Sequence, residues 1–174
     1  MNRAVFLDRD GVIIKSLAVN GRPVSVTSFS EVEILPGVQD ALNDLRESGF
    51  ELVVVTNQPD VGRGKISIEM VEEIHNYLRT KLDLSYIYTC FHDESHKCDC
   101  RKPRPGLLFQ AANDLNIDLN SSFMVGDRWR DIDAGFKAGC KCFFISNLFD
   151  EKVSSYPFTE VESLLHASIL IKEN

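Results

Sequence analysis

Asp8 and Asp10 stand two residues apart at the end of Ala4-Val5-Phe6-Leu7, an apolar run with the length of a buried strand, and Gly11 follows at once. A carboxylate can act as a nucleophile that takes a covalent phosphoryl group, and it can ligate a hard cation. Two acids at this spacing share a face while the strand stays regular. Once the chain turns at the glycine, the first side chain and the second backbone carbonyl can converge on one ion such as Mg2+, which keeps room for waters and a substrate phosphate. On their own these residues also describe an ordinary solvated Asp-Gly turn. Other groups raise their weight. Thr56 follows the apolar run Leu52–Val55, Lys102 lies beyond Tyr86–Thr89, and Asp127 and Asp131 follow Ser122–Val125. Singly, Thr56 reads as a cap or turn residue, Lys102 as a solvated charge, and Asp127 and Asp131 as acids favoured near a helix N-terminus. Together they are a nucleophile, a proton-transfer acid, a metal ligand and an ammonium to neutralise phosphate oxygens, a set suited to phosphoryl transfer.

A second cluster precedes Lys102. Cys90-Phe91-His92 and Cys98-Asp99-Cys100 give Cys-x-His-x5-Cys-x-Cys, and three thiolates with one imidazole make a closed tetrahedral set of the kind that holds structural Zn2+. His96 is an alternative donor, so the choice of histidine stays open. A closed site does no chemistry, but it can pin the loop that delivers Arg101 and Lys102. The five cysteines are an odd number and suit a metal site in a reducing compartment better than disulfides. Cys140 and Cys142 flank Lys141 at a strand start and read as buried small hydrophobes.

These groups need elements to bring them together. Residues 13–35 lack periodicity and carry Asn20-Gly21 and Pro23, which predicts a loop or small hairpin. Helical spacing follows Pro36-Gly37, again over about 68–82, from Pro105-Gly106 to about 116, over 131–138, and weakly over 159–171. Strands are expected at 4–7, 51–55, 86–89, 122–125 and 141–145. Strands alternating with helices imply an α/β fold with a doubly wound, Rossmann-like parallel sheet, in which the C-terminal strand ends share one edge. The length of 174 residues suits one domain, 1–174, with the metal loop at about 90–100 and no segment long enough for a separate cap domain. A net charge of −7 argues against nucleic acid as partner. No apolar stretch approaches the roughly 20 residues of a membrane span, and Met1-Asn2-Arg3 leaves no room for a signal peptide. A cytoplasmic monomer acting on a small molecule is the expectation.

Asp8-Arg9-Asp10-Gly11, Thr56-Asn57-Gln58, Lys102-Pro103 and Gly126-Asp127-Arg128 with Asp131 resemble the four motifs of the haloacid dehalogenase-like phosphatases, over about residues 4–145. The resemblance implies that Asp8 forms an aspartyl-phosphate and that Asp10 acts as general acid and then base, its backbone carbonyl on Mg2+. It further implies that Thr56 and Lys102 hold the phosphoryl oxygens, and that Asp127 completes the metal shell with Asp131 in support. Cys-x-Cys-Arg-Lys-Pro is similar to the zinc-containing branch that holds D-glycero-D-manno-heptose 1,7-bisphosphate phosphatases and histidinol-phosphate phosphatases. Arg63-Gly64 resembles the heptose enzymes, although Pro59-Asp60-Val61-Gly62 stands where those usually have Ser-Gly-Ile-Ala, Val12 where Thr is common, and Arg128 where Lys is. The implied reaction is Mg2+-dependent removal of the 7-phosphate from the heptose bisphosphate, a step towards nucleotide-activated heptose, with Asn57, Arg63, Arg101, Lys102 and Arg128 touching substrate. Basic groups such as Arg63 and Arg101 suit a second phosphate. Histidinol phosphate is the alternative substrate. A phospho-accepting signalling domain or inactive binding module is a third reading; receiver domains order their acids differently and lack a zinc loop. Trp129 either lines the pocket or packs over its helix.

Overall fold

The opening apolar run becomes a central strand, β1 (Arg3–Leu7), in a computed structural model that describes residues 1–147, 149 and 151–173. A hairpin, β2 (Leu17–Val19) and β3 (Arg22–Val24), follows, with Asn20 and Gly21 at its tip in the left-handed region. The chain continues through α1 (Val38–Glu47), β4 (Phe50–Asn57), a single turn α2 (Pro59–Gly62), α3 (Ile68–Leu82) and β5 (Tyr86–Cys90). It ends with α4 (Gly106–Leu115), β6 (Phe123–Gly126), α5 (Trp129–Ala138), β7 (Lys141–Ile145), β8 (Thr159–Val161) and α6 (Leu164–Lys172). Between Asn57 and Arg101 there is no folded cap among the described residues.

Six strands form one parallel sheet in the order β5-β4-β1-β6-β7-β8. Alternation along β1 divides the core. Val5 and Leu7 pack in a cluster with Leu42 of α1, Ile74 of α3 and Ala167 of α6, whereas Ala4 and Phe6 face Leu108 of α4 and Ile132 of α5. Both faces are therefore covered by helices, and β1 reads as a continuous apolar run because each of its sides is dry. The expected helix over 159–171 is corrected at its start. Thr159–Val161 pairs with Phe143–Ile145 as the edge strand, and the helix begins only at Leu164, capped by the Ser163 side chain accepting from His166 N. Thr and Val favour the pleated surface, and a three-residue strand is too short to show a period.

Strand order reverses between β1 and β6, the place where open α/β sheets form a crevice for ligands. Leu7 is in register with both Val54 and Val125, so the ends of β1, β4 and β6 are level. Asp8, Thr56 and Asp127 leave that common edge.

Candidate active site

Lys102 is the hub of the crevice. Its Nζ lies 2.8 Å from Asp8 Oδ1, 2.7 Å from Asp131 Oδ1 and 2.7 Å from the Val55 carbonyl that accepts from it, so all three ammonium donors are used. The side chain is 2% exposed, and the two carboxylates hold it firmly protonated against the opposing effect of burial. Asn57 fixes where the lysine stands: its Nδ2 donates to the Lys102 carbonyl and its Oδ1 accepts from the Lys102 N–H, each at 3.1 Å. Asn57 thus both faces the pocket and ties the end of β4 to the loop beyond the cysteines.

Asp8, Asp127 and Asp131 bring one carboxylate oxygen each within 4.8 Å of one another, all buried. Burial pushes the Asp8 carboxyl up to about 7 against the lowering pull of Lys102, with Asp131 and Asp10 adding to the rise. Asp127 is held well above the usual carboxylate range, first by burial and then by Asp8 and Asp131. Its Oδ1 is buried and has no hydrogen-bond partner. An orphaned carboxylate oxygen among crowded acids is what a hard dication satisfies, so these residues fit Mg2+. Asp131 serves the frame as well: its Oδ2 accepts from Arg128 N at 3.0 Å, capping α5. Gly11 makes the crowding possible. At φ +85° a Cβ here would lie 2.0 Å from Asp127 Oδ2.

Asp10 also faces the pocket, and its carboxylate is held by three donors. Arg9 gives Nε to Oδ2 at 3.0 Å and Nη2 to Oδ1 at 3.2 Å, and Gln58 Nε2 reaches Oδ2 at 3.0 Å. The same Gln58 amide donates to Thr56 Oγ1 at 2.9 Å; Thr56 is fully buried and does not line the pocket.

The pocket, about 230 Å3, is rimmed by Arg63, Lys65, Arg101, Arg128 and Arg130 and walled on one side by Pro23–Ser25 of the hairpin. Carboxylates partner its arginines. Glu94 lies 2.5 Å from both Arg63 and Arg101, while Glu151 pairs with Arg128 and stands 3.5 Å from Arg130. Arg101 also donates to the His92 carbonyl at 3.1 Å. Trp129 is not on the pocket wall; Arg130 and Lys152 stack over its ring.

Cys90, His92, Cys98 and Cys100 form the second donor set, with one ligand atom of each inside a 4.8 Å cluster. His92 Nδ1 is 3.3 Å from Cys100 Sγ, whereas His96 is turned to Asp93 at 2.8 Å. Of the two histidines the sequence left open, the fold brings His92 to the thiols. Three sulfurs and one imidazole nitrogen at this spacing fit Zn2+. Cys140 and Cys142 are buried in the core and do not belong to this donor set.

Arg9 and Gln58 stand inside the motifs without a role assigned by them, and His75, Arg130, Glu94 and Glu151 belong to none of the motifs. Arg9 had a visible signal, since the residue between two acids at a strand end must point the other way, into the core, and there an arginine needs partners. His75 had one too, as it falls on the stripe Val71, Ile74, Leu78 at helical spacing. Glu94 and Glu151 meet their arginines only through loop geometry that no pattern encodes.

A family model for haloacid dehalogenase-like hydrolases matches residues 19–139. A D-glycero-beta-D-manno-heptose-1,7-bisphosphate 7-phosphatase of Yersinia pestis is 40% identical over 147 residues, which cover 78% of this chain and 75% of that protein. The Helicobacter pylori protein of the same name is 36% identical over 146 residues, covering 80% and 81%. Among solved structures, a D,D-heptose 1,7-bisphosphate phosphatase from B. bronchiseptica, complexed with magnesium and phosphate, superposes with a TM-score of 0.86 at 28% identity over 99% of each chain. With four motifs converging on one crevice and a family match across most of its length, this chain belongs to the haloacid dehalogenase-like hydrolases.

Proposed function

We propose that this protein hydrolyses the 7-phosphate of D-glycero-β-D-manno-heptose 1,7-bisphosphate by way of a phosphorylated Asp8. The observation that carries the reading is the convergence of Asp8, Asp127, Asp131 and the buried Lys102 at the sheet edge, beside a rim of arginines. Relatives similar over three quarters of their length carry that activity in their names.

A carboxylate oxygen of Asp8 attacks phosphorus, the bond from phosphorus to the sugar oxygen breaks, and Asp10 gives its proton to the departing alkoxide. Asp10, now ionised, takes a proton from water; the hydroxide attacks the same phosphorus, the bond to Asp8 breaks, and orthophosphate leaves. Lys102 neutralises phosphoryl oxygens through both steps without moving, since Asn57 and Val55 hold its position. Mg2+, held by Asp8, Asp127 and the Asp10 carbonyl, would supply further charge neutralisation and a fixed orientation for the phosphoryl group. The pairing of Arg63 and Arg101 supports a role in gripping the second phosphate of the substrate. Zn2+ on Cys90, His92, Cys98 and Cys100 would hold the loop that carries Arg101 and Lys102.

The test is a phosphate-release assay on the heptose bisphosphate and on histidinol phosphate, with and without Mg2+. 31P NMR then identifies which phosphate remains on the sugar. Retention of the 1-phosphate is the expected result. Preference for histidinol phosphate, or loss of the 1-phosphate first, overturns the substrate assignment.

A further inference from the structure

Arg9 is 0% exposed, one of the largest fully buried side chains of the protein. A guanidinium out of water is tolerated only where its donors are met and its charge is balanced. One side of its fork lies on the Asp10 carboxylate, as described above. The other, Nη1, points away from the pocket to His75 Nε2 at 3.2 Å. His75 is also 0% exposed, on the core face of α3. Burial and the neighbouring Arg9 charge push its imidazole down to about 4, so the ring is neutral at pH 7. Arginine has only donors, so Nε2 must be the accepting nitrogen and Nδ1 carries the proton. Nδ1 faces Glu72 Oε1 at 3.4 Å, and Arg79 lies 3.3 Å from Glu72 Oε2. An unbroken chain therefore runs from the surface of α3, through Glu72, His75 and Arg9, to the Asp10 carboxylate on the pocket wall.

We propose that His75 is a positioning residue for the phosphatase reaction: it fixes the guanidinium of Arg9, which in turn fixes the carboxyl of Asp10 where it can exchange a proton with the leaving oxygen and with water. The inference rests on the reading of Asp10 as the proton-transfer group. A buried arginine with a free donor would turn to find another acceptor, and the carboxylate it clasps by two bonds would turn with it. A displacement of about 1 Å at a reacting group can lower a rate by about 10²-fold. No atom of His75 or Glu72 need touch substrate for this.

The test compares His75→Leu, His75→Gln and Glu72→Ala with the parent protein, using the heptose bisphosphate and p-nitrophenyl phosphate. His75→Leu is expected to lower kcat at least about tenfold with KM within about twofold, because substrate contacts are intact. His75→Gln, whose side-chain oxygen can accept from Arg9, should recover most of that loss. His75→Leu added to Asp10→Asn should slow the residual rate no further, since the histidine acts through the aspartate. A folded His75→Leu with parental kcat, a glutamine variant as slow as the leucine one, or a fully additive loss in the double variant would overturn the proposal. If His75→Leu does not fold, Glu72→Ala decides: a lower kcat at unchanged KM supports the chain, and parental kcat refutes it. An Asp10→Asn protein with full activity would remove the reading of Asp10 itself. An inactive Asp10→Asn beside fully active His75 variants would remove only the relay.

Discussion

Replacing Lys102 with Met keeps most of the side-chain volume and removes the ammonium from a dry crevice. Three bonds go with it: those to Asp8 and Asp131, at 2.8 and 2.7 Å, and the one to the Val55 carbonyl, at 2.7 Å. A charged hydrogen bond contributes about 1.5–3 kcal/mol, and an orphaned buried carbonyl costs about 1–3 kcal/mol. The simple sum overstates the loss, because Asp8, already pushed up to about 7, takes up a proton once its cation is gone. Removal of one partner from a buried ion pair costs about 3–5 kcal/mol, and that is the expected loss in metal-free protein at neutral pH. Urea unfolding in EDTA measures it. Adding Mg2+ should then recover more stability in the variant than in the parent, since a dication entering among the acids no longer meets the ammonium. Asp8→Asn in the same background should lessen the loss, because folding then no longer has to draw a proton onto Asp8. A Lys102→Met protein as stable as the parent in EDTA, or one that gains less from Mg2+, would show that the acids are not held together by this lysine.

Four further outcomes are expected. Gly11→Ala places a Cβ 2.0 Å from Asp127 Oδ2 at φ +85°; it should cost about 1–2 kcal/mol in backbone strain and weaken Mg2+ affinity, read by isothermal titration calorimetry, with unchanged affinity counting against the close approach. His75 is held down from 6.5 to about 4, so the unfolded chain binds the proton first as pH falls. The neutral ring therefore contributes stability that is full above about 6.5 and is lost towards pH 4, about 3 kcal/mol in all, and urea unfolding of His75→Leu should lack that part of the acid limb. Cys98→Ala should lower zinc content and melting temperature together, since binding energy at such a site is folding energy; unchanged stoichiometry by elemental analysis would remove Cys98 from the ligand set. Glu94→Gln frees Arg63 and Arg101 from a carboxylate that is 60% exposed. Pairs this exposed are worth about 1 kcal/mol or less, so KM for a bisphosphate should fall about two- to fivefold, and a rise in KM would mean that Glu94 helps to hold the sugar.

The alternation of strands and helices was readable from apolar runs and helical spacing, and the groups at four strand ends, each ordinary alone, gained weight as a set. Asp8, Lys102 and Asp127 could be placed on one edge from parallel topology alone, and in the fold Lys102 Nζ lies 2.8 Å from Asp8. The histidine of the cysteine cluster was not readable. His92 and His96 differ by four positions on an irregular loop, and only the turn that sends His96 to Asp93 separates them. The second half of the site was hidden for a different reason. Arg9 meets His75 across 66 positions of sequence; the burial of each shows in its own local pattern, but nothing local says that the two are partners. The edge strand Thr159–Val161 was lost because three residues carry too little period to outweigh the helical stretch that follows.

The reciprocal clasp between Asn57 and Lys102 closes an excursion whose ends are 45 positions apart. Everything between them, including Arg63, Glu94 and Arg101 on the pocket wall, hangs from that one tie. Extra residues between His92 and Cys98 would therefore swell the loop outward without pulling the lysine off its carboxylates. Doubling the length of a flexible loop costs only about 0.6 kcal/mol in closure entropy. In this architecture, the choice of substrate can drift by tinkering at the rim while the reaction itself stays put.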